Sequence, residues 1–166
     1  MLFPLITKTL PSEQDILDLA ANLRPADCAE LQAVCDLTPL AAVRESLRWS
    51  APGFVFAAHV RVTPDQERQL LGIGGAACSA ADAVVGVPWL LATPLLDRYA
   101  KSLTREARAE LRRMLRRWPL LSNLIDARQT AAIRWLAALG FEMREAEALK
   151  PGLPLLRFEL RAVVYV

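Results

Sequence analysis

Apolar and polar positions recur with two different periods along this chain, and the switches between them mark its elements. Leu2 to Thr9 is a short apolar segment with Pro4 near its start, which predicts an edge strand beginning after the proline. Ser12 with Asp15 three residues on, then Ile16, Leu17, Ala20 and Leu23 at helical spacing, predict a capped helix that Pro25 stops. Pro25 also suits the first turn of a second helix, in which Cys28, Leu31, Gln32 and Cys35 share a face. Thr38 with Pro39 opens a third helix through Leu40, Val43 and Leu47. Cys28 and Cys35 read as small core residues.

Pro52 and Gly53 end this helical block, and the period changes to that of strands. GFVFAAHVRV, residues 53 to 62, reads as one strand, and Thr63, Pro64 and Asp65 as a turn. QLLGIGGAACS reads as a second strand. Its Gly72, Gly74 and Gly75 match no phosphate motif because no helix follows them, so they point to close packing of the sheet. After a loop at Ala80 to Ala83, VVGVPWLLAT reads as a third strand, buried on both faces. Pro88 cannot donate to a ladder, so this strand should bulge or lack a partner on one side near Val87 to Trp89.

Thr104 is the expected N-cap of a helix reaching Trp118, with Ala107, Leu111, Met114, Leu115 and Trp118 inward and Arg105, Arg108, Arg112 and Arg116 outward. Pro119 terminates it. LLSNLIDA predicts a buried strand, Arg128 to Leu139 a helix striped by Ile133, Leu136 and Leu139, and Gly140 its stop. FEMREAEA and LLRFELRAVVYV, separated by a loop at Lys150 to Pro154, predict two final strands. Strand, helices, three strands, helix, strand, helix, two strands is the order of an α+β chain with a mixed sheet and helices on its faces.

At 166 residues and 54% hydrophobic composition, one domain spanning residues 1 to 166 is expected, with ample material for a core. Three cysteines without CxxC spacing and a lone histidine, His59, support neither a disulfide framework nor a metal site. The longest uncharged apolar stretch, Ala83 to Leu96, is interrupted by Gly86, Pro88 and Pro94 and falls short of the ~20 residues of a membrane-spanning helix. MLFPLITK lacks the pattern of a secretory signal, so a chain that is neither secreted nor transmembrane is expected.

Net charge is +2 but unevenly spread. Residues 10 to 36 hold six acids against Arg24, and residues 98 to 118 hold eight basic residues against Glu106 and Glu110. A helix face of one sign is most often merely solvated; used for contact, these would be surfaces of opposite sign, the basic one open to an acidic partner or to weak contact with DNA phosphates. His59 and the turn acids Asp65 and Glu67 are the candidate general bases, although a strand histidine without an identifiable partner is more often structural or exposed and turn acids are usually solvated. Asp126, Arg128 and Arg134 are expected to cluster at a strand-to-helix junction.

The element order, with LIDARQTAAIRWLAALGF near the end, resembles the GNAT N-acetyltransferase fold over most of the chain. More narrowly, VPWLLAT, the basic helix, PLLSNLIDAR, IRWL and LGF resemble GNAT-like proteins of short-tailed bacteriophages, grouped with an internal virion protein of that phage class. The resemblance implies a twisted, mostly antiparallel mixed sheet of about six to seven strands with helices on both faces.

It also implies a site that can be checked residue by residue. Where the family has a glycine-rich loop whose amides surround the diphosphate of acetyl-CoA, this chain has TPLLDRYAKSLT. That segment has no glycine, Pro94 removes an amide, Asp97 adds a negative charge, and Arg98 and Lys101 offset it only as point charges. The family's helix-opening asparagine, alanine and general-acid tyrosine fall on Gln129, Ala132 and Leu136, and the neighbouring Trp135 is no acid. Trp89 lies where the cofactor's pantetheine arm would run and is expected to plug that groove.

No catalytic, cofactor-binding or metal residue is therefore assigned. The resemblance implies a non-catalytic phage protein, in the virion or in the host cytoplasm during assembly, partnered by other virion or assembly proteins and needing no cofactor. The alternative it leaves open is an acetyl-CoA-dependent N-acetyltransferase acting on an amine of a host or phage protein or a small molecule.

Overall fold

A computed structural model describes residues 4–146 and 149–163. The chain runs β1 (Leu5–Thr9), α1 (Glu13–Ala21), α2 (Pro25–Val34), α3 (Pro39–Trp49), β2 (Ser50–Arg61), β3 (Gln69–Cys78), β4 (Val85–Ala92), α4 (Leu95–Arg117), β5 (Leu120–Asp126), α5 (Thr130–Leu139), β6 (Glu142–Glu145) and β7 (Leu155–Arg161). The strands form one sheet in the order β1-β2-β3-β4-β5-β7-β6. Neighbours are antiparallel except β4 and β5, which are parallel. This is the mixed α+β sheet the element order predicts.

Period-two alternation distributes the strand side chains between two helical layers. Ala57 and Ile73 pack under Leu19 and Leu23 of the α1 region and Val43 of α3. On the other face Ala58, Val60, Leu71 and Ala92 meet Leu96 and Leu103 of α4. A third cluster joins Leu111 and Met114 of α4 to Trp118, Leu121, Phe141 and Phe158, with Ile133, Leu136 and Leu139 of α5 packed against it. Ser12 and Asp15 form the expected capping box at α1. The β3 glycines are packing positions: a Cβ at Gly75 would lie 2.5 Å from the Phe54 carbonyl oxygen.

The sheet is split along one seam. Strands β4 and β5 pair only at Val85 with Leu120 and Gly86 with Leu121, and then diverge. The Ser79 N–H to Val85 O and Thr93 N–H to Leu71 O bonds, both 2.9 Å, turn the polar groups of odd-numbered β4 residues toward β3. Pro88, Leu90 and Ala92 therefore face β5. The missing amide of Pro88 falls where a ladder partner is already gone, which is the one-sided strand its position predicts. At the joined end of the seam, a Cβ on Gly86 would stand 2.8 Å from both Trp118 and Leu121.

Helix α4 starts at Leu95, nine residues before the expected cap. Thr104 is interior, its hydroxyl bonded back to Ala100 O at 2.9 Å. Pro52 and Gly53 lie inside β2: the register shifts between Ser50 and Val55, and Gly53 takes φ of 80°, so they bend the strand instead of preceding it. Cys28 packs against the α1–α3 core, but Cys35 caps α2 in solvent. Leu17 also faces outward, and Leu19 takes its place in the core. The expected strand 141 to 148 is observed as Glu142–Glu145, with 147 and 148 outside the described residues. Of the expected final strand 155 to 166, Leu155–Arg161 is observed and 164 to 166 lie outside the described residues.

Candidate functional site

The divergence of β4 from β5 opens a cleft of about 540 Å³, within the few-hundred to thousand Å³ range of small-molecule sites. Leu96, Leu111 and Met114 of α4 and Trp135 and Leu136 of α5 line one side; Leu31 and Val34 of α2 with Trp89 and Leu91 line the other. Trp89 is a wall, which corrects the expectation of a plug. Its indole N–H donates to Ser50 Oγ at 2.8 Å and its ring packs on the α1–α3 side, leaving the seam open.

Strands that part leave backbone donors and acceptors facing a gap, and each needs a partner. Here side chains supply most of them. Asn123 bridges the two strands, donating from Nδ2 to Pro88 O at 2.9 Å and accepting the Leu124 N–H at 2.8 Å. Helix α2 lies across the wide end. Asp27 accepts the Ala92 N–H of β4 at 3.0 Å, and Glu30, one turn later, accepts the Asp126 N–H of β5 at 3.1 Å and a bond from the Gln129 amide. Arg24 N–H donates to Ala92 O at 2.9 Å. Of the β4 groups facing this gap, the N–H and C=O of Leu90 have no partner among the described residues.

Glu30 is held above the ordinary glutamate range by burial. The Asp126 N–H bond opposes the shift, and the charges of Asp27 and Asp126 reinforce it. A carboxyl raised by folding costs stability once it ionises, so the cost appears as pH rises above the ordinary glutamate value of about 4.3. Glu30→Gln should melt higher than the parent at pH 7, with the gain vanishing below about pH 4. Equal or lower melting at pH 7 would show that Glu30 is not strained by burial.

The diphosphate end of the implied cofactor meets a different environment. Only Thr93 and Pro94 separate β4 from α4, and the Leu96 and Asp97 N–H groups are already bonded to Thr93 O and Pro94 O at 3.1 and 3.3 Å. Asp97 sits in the first turn, 3.2 Å from the Arg24 guanidinium. A helix start of this kind offers an anion a carboxylate and a proline in place of free amides. The cleft can hold a chain-like group beside Leu90, but the residues present do not fit the diphosphate of acetyl-CoA.

Gln129 is the N-cap of α5 and spends its amide on Glu30, and Leu136 is a cleft wall with no proton to give. Tyr99, on α4, packs with the Leu96 and Leu103 cluster and lies outside the cleft lining. His59 is buried on β2 and bonded through Nε2 to Asp15 Oδ1 at 2.8 Å, tying β2 to α1 away from the cleft. Burial raises the Asp15 carboxyl, but the Ser12 N–H, His59 and the Ser12 hydroxyl outweigh it and hold it below the ordinary range. Asp65 and Glu67 are exposed in the β2–β3 turn. Asp126 and Arg128 do pair, at 2.6 Å, but Arg134 takes no part. Asp27 and Glu30 were not among the expected site residues; their only sequence signal is i,i+3 spacing on one helix.

Known proteins place this architecture. No protein-family model and no curated protein matches the chain. Solved structures do. An acetyltransferase from Thermus thermophilus aligns with a TM-score of 0.62 at 16% identity over 95% of this chain and 97% of its own. A GNAT-family acetyltransferase from Bacillus anthracis gives 0.64 at 8%, over 94% of each chain. A Salmonella typhimurium protein assigned as an acetyltransferase, solved with its cofactor acetyl-CoA, gives 0.58 at 14%, over 97% of this chain and 96% of its own. The chain has the GNAT fold. Among its described residues no helix is long and apolar enough to cross a membrane.

Proposed function

We propose that this chain uses the GNAT fold as a non-catalytic interaction module and serves as a component of a bacteriophage particle or of its assembly. The observation that carries the reading is the start of α4, where Asp97, held by Arg24, stands in place of the amides a diphosphate needs. The phage assignment is supported by the motif set alone. Within those motifs, Pro88 and Trp89 of VPWLLAT, Asn123 of PLLSNLIDAR and Trp135 of IRWL line the cleft. Calorimetric titration should give no heat with acetyl-CoA or coenzyme A at millimolar ligand; binding in the micromolar range would overturn the non-catalytic reading. Mass spectrometry of purified particles and assembly intermediates tests the phage role, and absence from both would end it.

The second reading is an acetyl-CoA-dependent N-acetyltransferase acting on an amine of a protein or small molecule. The comparisons favour it, since each neighbour named above is an acetyltransferase or assigned as one. Two features of the cleft agree with it: the unpartnered Leu90 backbone, and the Glu30 carboxyl whose raised affinity for protons suits a general base. The same titration decides between the two.

A further inference from the structure

The basic face of α4 is part of a formed groove. A second cavity of about 440 Å³ lies between α4 and the end of β7, and its ten lining residues include Arg108, Arg112, Arg116 and Arg161 and no acid. Its floor is apolar, built from Leu111 and Leu115 of α4, Leu139 of α5 and Leu160 of β7. Four-residue steps place Arg108, Arg112 and Arg116 about 6 Å apart along the helix, on one side of that floor. Arg161 closes the opposite side.

These cations are only partly spent. Arg112 and Arg116 have no hydrogen-bond or ion-pair partner among the described residues. Arg161 is 3.4 Å from Glu159, a carboxylate that Arg144 shares at 3.0 Å. Arg108 donates to Ala138 O at 2.9 Å, which fixes its guanidinium at the rim without neutralising it. By contrast Arg113, on the same helix, is fully engaged by Glu110, by Gly53 O and by the Phe54 ring.

We infer that this groove docks an acidic, amphipathic segment of a partner protein, whose carboxylates meet the four arginines while an apolar side chain seats on the leucine floor. The inference rests on the interaction-module reading and names the partner's chemistry. Guanidinium groups bind carboxylates with paired, directional bonds. Nucleic acid would satisfy the arginines through phosphate, but a phosphodiester edge presents nothing apolar to the floor. Charge and floor together therefore favour a peptide over a duplex.

Fluorescence anisotropy on the full chain tests this with three labelled probes. One is a peptide of about 16 residues with glutamates flanking leucines at one-turn spacing. The second has glutamine at each leucine, and the third is a DNA duplex of about 20 base pairs. The glutamate-leucine peptide should bind tightest. Arg112→Glu combined with Arg116→Glu should weaken it by about tenfold or more with at most a small fall in melting temperature, because both side chains are exposed and only Arg116 lies in the last turn of α4, where a carboxylate opposes the helix dipole. Tighter binding of the duplex at about 0.15 M salt would assign the groove to nucleic acid and overturn the inference. Equal binding of the glutamine peptide, insensitivity to the two charge reversals, or no peptide binding at millimolar concentration would each overturn it as well. None of these outcomes depends on coenzyme A, so they stand apart from the titration above.

Discussion

Trp118→Ala should destabilise the protein by about 3–5 kcal/mol, the usual cost of emptying a fully enclosed aromatic site. Trp118 has no exposed surface, packs its ring against Phe54 at 4.8 Å between centroids with a tilt of 54°, and caps α4 by donating its backbone N–H to Met114 O at 2.9 Å. Its ring also fills the space that Gly86 leaves open, at the last residue pair before β4 and β5 separate. The substitution therefore removes the support of the joined end of the seam as well as hydrophobic burial. Trp118→Phe should cost clearly less, because the buried indole N–H has no partner among the described residues and losing it forfeits no hydrogen bond. Urea unfolding of both variants measures this. A loss below about 1 kcal/mol for the alanine variant would mean that neighbouring side chains collapse into the vacancy and that Trp118 does not anchor the seam.

The element order was legible in the residues because periodicity and punctuation agreed nearly everywhere. Pro88 shows this best: a residue without an amide, inside an apolar strand, announced the edge at which β5 departs. The start of α4 was obscured by a competing signal. Leu95, Leu96, Tyr99 and Leu103 have helical spacing, but Thr104 followed by an arginine-rich run resembles a cap, and only the fold shows its hydroxyl turned back to Ala100. Trp89 was misplaced for a different reason. Its position on the strand was clear, whereas the face it occupies depends on where Ser50 lies, 39 residues earlier. The clamp on the cleft was beyond reach for the same cause. Asp27 and Glu30 look like solvated helix acids until the fold brings up backbone amides 65 and 96 residues away.

Asp27→Ala is expected to cost about 3 kcal/mol, the lower end of the range for leaving one member of a buried ion pair alone. Asp27 is 5% exposed, and its carboxylate receives both the Arg24 guanidinium, at 2.9 and 3.1 Å, and the Ala92 N–H. Removing it strands a cation whose side chain is 16% exposed, and it leaves the Ala92 amide facing the gap without an acceptor. Asp97, 3.2 Å from Arg24, softens the first loss but cannot reach the second role, since it is 71% exposed on the far side of that guanidinium. Asp27→Asn keeps an acceptor for the amide and should lose less. Hydrogen exchange separates the clamp from a general loss of stability. In the alanine variant the Ala92 amide should lose more protection than the β2 amides of Ala57 and Ala58, because α2 lets go of β4 locally before the sheet opens. If all of these amides lose protection equally, α2 is only one more packed helix, and the wide end of the cleft is held open by the sheet's own twist.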